Sequence, residues 1–307
     1  MINFRYHLVS LIGVFLALAV GVVLGAGPLQ NAINNVGTDQ VTGASAAELE
    51  EELAAASSEG QAGQDLAAAL SEQVLPDTLT GKAVTVVVLP DATGGDLETI
   101  TSALELAGAE VLGPVELTDA FVSQDANTYR ETLASPVSSY LEGKPGDPSP
   151  ATVLAAGLVE ALTIDSPDAE LIGGMLTDDA TPLVVSLPAE PTDGLVLVGP
   201  GSGDPAVEQS QSGNEDGADG LAPLTREGWI ALGSAFADAG VPAVAVGQAD
   251  TADQFIAVLR EASSPLATAD RGGSPMGALN GVLALASGST GAYGTQLGAD
   301  AVLAPLP

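Results

Sequence analysis

The sequence predicts an α/β protein: a Rossmann-like layered domain with a mostly parallel sheet, set behind an N-terminal transmembrane helix and a helical coiled-coil stalk. Three observations carry this reading. A charge-free apolar run covers Leu8–Gly27, an Ala/Glu-rich stretch with heptad-like spacing covers 44–75, and beyond Thr80 short β-branched runs alternate with helical periods.

Residues 1–29 form the predicted cytoplasmic N-terminus and membrane anchor. At about 1.5 Å per residue, the apolar run spans about 30 Å, the thickness of a bilayer's hydrocarbon core. Arg5 and His7 precede it and no Asp, Glu, Lys or Arg lies within it. Positive charge on the N-terminal side alone puts Met1 in the cytoplasm and the rest of the chain outside, giving a single-pass protein of the cell membrane. A cleaved secretory signal is the alternative. Its apolar region is shorter, about 7–15 residues, and ends in small residues at the cleavage positions, where this chain would place Leu24. Either reading puts the bulk of the chain outside the cytoplasm.

Gly13, Ala17, Gly21 and Gly25 recur every fourth residue, and Gly21–Gly25 is itself a G-x-x-x-G element. Small residues on one face let two helix backbones approach closely in lipid, so this ridge is a candidate helix-dimerisation surface. A polar linker over 30–43 follows. Within 44–75, Leu49, Leu53, Ala56, Gly60, Gly63, Ala67, Leu70 and Val74 alternate spacings of four and three, as coiled-coil core positions do. Leu49, Leu53, Ala56, Leu70 and Val74 are the candidate interface. The flanking acids bring no basic partners, so a coil with a second copy or with another envelope protein would depend on tethering by the membrane helix or on that second protein, and an isolated acidic helix or half-disordered stalk is the alternative. Pro76 ends the segment.

The domain predicted over 80–307 begins with AVTVVVL, Ala83–Leu89, a continuous apolar run typical of a buried parallel strand. Asp91–Asp96 reads as a turn, Leu97–Leu106 as a helix stopped by Gly108, and Glu110–Leu117 as the next strand of a βαβ unit. Helices are expected within 126–178, interrupted by KPGDPSP at 144–150. GLVLV at Gly194–Val198 is a strand, and the polar Gly199–Gly220 stretch a mobile loop. A helix over Thr225–Ala239 with Thr225 as N-cap, a strand over Val241–Val246, helices over Ala252–Ala262 and Pro275–Ala286, and a closing strand at Ala301–Leu303 complete the pattern.

Composition narrows the function. Forty acids against seven bases give a net charge of −33, which repels nucleic acid and anionic headgroups. There is no Cys, and His7 is the only histidine, so neither a thiolate site nor a Ser-His-Asp triad nor an imidazole-ligated zinc can form in the outer part. The turn Pro90–Asp96 is neither G-x-G-x-x-G nor a P-loop, and Gly199–Gly203 is followed by Asp204 rather than a base. No catalytic constellation and no cofactor are evident, and the expectation is a protein that is not an enzyme.

The N-terminal block, with Arg5, His7, Val9, Ser10, Leu11, Val14–Ala19 and Gly21–Gly25, resembles one family closely. The resemblance continues through the acidic coil, the βαβ unit, Gly220–Leu224, Asn280–Gly288 and Gly291–Gly294, and so covers nearly the whole chain. The sequence is similar to the MctB-type copper transporter family of mycolic-acid actinobacteria. The resemblance implies copper transport or copper homeostasis in the cell envelope. SteB-like members imply instead a scaffold acting with a membrane partner on the peptidoglycan hydrolases of cell separation. Copper enters through the resemblance alone: Cu(I) favours thiolate or thioether sulfur, and the outer part offers only Met175 and Met276. The resemblance supplies no ligand residues, and which metal site exists, if any, stays open.

Overall fold

The computed structural model describes residues 43–178, 180–200 and 223–307. The expected membrane helix, its ridge Gly13, Ala17, Gly21 and Gly25, and nearly all of the 199–220 loop lie outside the described residues. Among the described residues, no helix is long and apolar enough to cross a membrane.

A long helix, α1 (Gly43–Val74), comes first, and the chain divides into two compact units between residues 62 and 63. The second unit is built on six parallel strands: β1 (Ala83–Val88), β2 (Glu110–Glu116), β3 (Gly194–Val198), β4 (Ala243–Val246), β5 (Ala267–Ala269) and β6 (Ala292–Tyr293). Their order is β2-β1-β3-β4-β5-β6. Winding runs outward in one direction from β1 and in the other from β3, so the sheet is doubly wound with its switch point between those two strands.

β-Branched residues cover both faces of the central strands, which is why β1 reads as an unbroken apolar run. Val84, Val86 and Val88 join Val196, Val198, Val244 and Val246 in one core, covered by α2 (Gly94–Leu106) and α8 (Pro275–Ser287). Val87, Leu89, Leu195, Leu197 and Ala245 belong to the other core. That core is filled by α3 (Asn127–Tyr140), α4 (Pro150–Thr163), α5 (Pro167–Leu176), α6 (Pro223–Ala237) and α7 (Phe255–Glu261). Within it, the Trp229 and Phe255 rings meet edge to face at 5.4 Å.

Local signals set the helix starts. α4, α5 and α8 each open on Ser-Pro, and Ser149, Ser166 and Ser274 accept the N–H of Thr152, Ala169 and Gly277. Thr93 and Asp96 close a capping box on α2. At its far end, Gly108 takes φ +82°, where a side chain would strain the turn.

Several expectations shift. Thr225 lies inside α6, whose first residue is Pro223. Ala301–Leu303 is no strand: Ala301 makes a single bridge to Tyr293, and the last strand is β6. β5 and β6 escape the sequence reading because they are three and two residues long and Ala-rich. The expected parallel sheet is present, with all five pairings among the described strands parallel. On α1, Ala67 is buried, and Leu70 and Val74 pack against the core that holds Leu75 and Leu79. That end of the heptad-like stripe is therefore engaged by the chain's own α/β unit.

Candidate functional site

The carboxyl ends of the strands are where a doubly wound sheet places ligands, and here they carry a row of glycines. Gly199 follows β3, Gly247 follows β4, Gly272 and Gly273 follow β5, and Gly294 follows β6. Each is explained by chain packed on chain. A Cβ on Gly199 would stand 2.0 Å from the Phe255 ring, and one on Gly272 would stand 2.9 Å from the Gly247 backbone. A Cβ on Gly294 would meet Asp270 Oδ1 at 2.1 Å.

Asp270, immediately after β5, organises this end. Its carboxylate accepts the Thr295 and Gln296 N–H groups at 3.0 and 2.9 Å and pairs with Arg260 Nη1 at 3.1 Å. Arg260 also donates to Thr268 Oγ1 and to the Leu297 and Tyr293 carbonyls. Burial draws its guanidinium below the ordinary value, and the hydrogen bond and charge of Asp270 oppose this. Gln296 extends the network through Gln248 to Gly272 O. These groups satisfy one another, so the network serves to fasten β5 and β6 rather than to present a reactive group.

A sizeable concavity among the described residues lies elsewhere, between α4 and α6. This groove of about 880 Å³ has Ala156, Val159, Ile230, Ala231 and Ala235 among its lining, with Glu142–Asp147 at its rim. Glu160 lines it too, and is the only charged residue in the sequence of α4. It is 7% exposed. Both carboxylate oxygens face one donor, the Glu142 N–H, at 3.2 and 3.1 Å. Burial pushes the carboxyl up from the ordinary value, the Glu142 N–H opposes this, and the Glu142 and Asp168 charges add to the rise. The sequence reading missed Glu160, although a lone acid in the apolar stretch VLAAGLVEAL was the available signal.

The two methionines of the outer part are not brought together. Met175, on α5, packs against the core that holds Trp229, whereas Met276 opens α8 in the other helical layer. Leu49, Leu53 and Ala56 lie in α1, as do Leu70 and Val74. Among the described residues, no group of three or more His, Cys, Asp or Glu side chains is arranged to hold a metal ion.

Fold and concavities define an α/β unit with a doubly wound sheet, an interlocked strand crest and a lateral groove, led by an acidic helix. The profile of the family described as "Copper transport outer membrane protein, MctB" matches residues 1–304, and the chain belongs to this family. Proteins named "Copper transporter MctB" from Mycobacterium bovis and from two strains of Mycobacterium tuberculosis are 34% identical to it over 143 residues. The match covers 45% of this chain and 44% of each relative, so the chain aligns with less than half the length of these curated relatives.

Proposed function

We propose that this protein works in copper homeostasis at the cell envelope, as a single-pass membrane protein with a cytoplasmic N-terminus and an α/β unit on the outer side. The observation that carries the proposal is the family match over residues 1–304. The charge-free run Leu8–Gly27 supports the anchoring. In this reading the α/β unit is non-catalytic and contributes through contacts with a partner. The seven bases among 307 residues argue against nucleic acid as that partner.

The test is cell-associated copper in a deletion strain under copper load, complemented with the full chain or with the outer unit alone. Copper that rises on deletion and returns only with the anchored form is the expected result. Unchanged copper would overturn the proposal.

A second reading is favoured by the continuous 32-residue helix α1. There the protein is a scaffold or activator for cell-separation machinery, binding a second copy or a hetero-partner through Leu49, Leu53 and Ala56. A septal defect without a change in copper would select it.

A further inference from the structure

Glu160 occupies an unusual position for a carboxylate. The side chain is buried on a helix of otherwise uncharged residues, and a single backbone N–H serves both of its oxygens. A carboxylate offers about four acceptor sites. The ion pairs among the described residues are Arg226–Glu261 and Arg260–Asp270, so neither supplies Glu160 with a cation. Arg226 lines the same groove but is committed outward to Glu261, and Lys144 stands exposed on the rim. Against these two bases the groove carries Glu142, Asp147, Glu160, Glu227 and Asp238. Its apolar lining, its volume within the roughly 300–1,000 Å³ of small-ligand sites, and one desolvated acid lacking a counter-charge describe a receptor for a molecule of opposite character.

We propose that the α4/α6 groove binds a small organic cation, with an ammonium or guanidinium head on Glu160 and an apolar body along Val159, Ile230 and Ala235. Charge complementarity selects the head: a cation gives Glu160 charge-assisted hydrogen bonds where the protein gives it one N–H. Apolar area selects the body, because the alanines of both helices leave width between them. An anionic or neutral ligand would leave the buried acid without a counter-charge. This assignment does not depend on the copper reading.

Isothermal titration of the full-length protein in lipid nanodiscs with phenethylguanidinium tests it, with empty nanodiscs subtracted and phenethylurea as the uncharged isostere. Saturable one-site binding of the cation is expected, with at least tenfold weaker binding of the urea. Glu160→Gln keeps the side-chain shape and an acceptor for the Glu142 N–H, and should weaken the cation at least tenfold while leaving the urea unchanged. Ser234→Trp, which fills the groove from α6, should abolish both. Equal binding by Glu160→Gln, equal binding of urea and cation, or no saturable binding by wild-type protein would each overturn the proposal. So would a basic amphipathic peptide that saturates the groove while phenethylguanidinium does not compete.

Discussion

Arg260 and Asp270 form an ion pair whose side chains are 6% and 1% exposed, with Nη1 3.1 Å from Oδ2. Removing one member of such a pair costs about 3–5 kcal/mol, since the other is left charged and buried. Arg260→Met should therefore lower the thermal midpoint sharply. Asp270→Asn should do likewise, because its amide replaces an acceptor of the Thr295 and Gln296 N–H groups with a donor. Circular dichroism melts of both single variants and of the double variant would show strong non-additivity; additive losses would mean that the pair is uncoupled.

Gly199→Ala introduces a methyl group where the Phe255 ring already sits, 2.0 Å from an ideal Cβ. Overpacking of this kind costs about 1–3 kcal/mol and displaces the ring. Trp229, the chain's only tryptophan, packs edge-on against Phe255, so intrinsic fluorescence reports the displacement directly. A changed emission maximum with secondary structure retained is the expected outcome.

Glu160 gives stability a pH dependence of definite sign. Burial raises its carboxyl in the folded state, so the fold holds this proton more tightly than the unfolded chain does. Its contribution is neutral below the ordinary carboxylate range and turns unfavourable as pH rises from that range through the raised value. Glu160→Gln should therefore melt above the wild type at neutral pH, and the two should converge in acid. A difference that persists in acid would point to packing rather than charge.

The two ends of α1 should respond differently to the same substitution. Leu70→Asp puts a charge against the core containing Leu75 and should destabilise the α/β unit by about 1–3 kcal/mol. Under the scaffold reading, Leu49→Asp with Leu53→Asp should instead abolish association while the unit's melting point stays put. Sedimentation velocity paired with thermal melts separates the two effects.

Ser166→Ala removes the hydroxyl that accepts the Ala169 N–H at 3.1 Å. Loss of one such cap costs about 1 kcal/mol. Urea unfolding should show a lower midpoint with an unchanged slope.

Where backbone pattern and burial agree, the sequence was informative. AVTVVV and GLVLV are apolar on both faces because β1 and β3 lie inside the sheet with helices on each side, and their strand character was legible. β5 and β6 were not, since ATA and AY are held by neighbours already in place rather than by their own propensity. The heptad-like spacing of α1 correctly marked a helix, but spacing cannot tell a seam between chains from a seam within one; Leu70 and Val74 belong to the latter. Glu160 was visible as a lone acid among alanines and valines. Its burial depends on α6, about seventy residues downstream, whose packing against α4 no local pattern encodes.

The neighbouring of β1 and β3 has a consequence for how the chain is made. Thr192 Oγ1 accepts the Thr85 N–H at a sequence separation of 107, and Asp193 accepts from Ala83 just beside it. Until Val198 has left the ribosome, β1 has β2 as its only sheet neighbour, with its other edge bare. Three of the helices between them, α3 to α5, make their mutual contacts within a short stretch and can form first, but they have only the β1–β2 pair to rest on. Nascent chains arrested before residue 190 should therefore be digested readily by protease, and those extended past Gly247 should begin to resist it. Whatever holds the emerging polypeptide in the meantime must shield a valine-rich edge for roughly the time of a hundred peptide bonds, several seconds or more at ordinary synthesis rates.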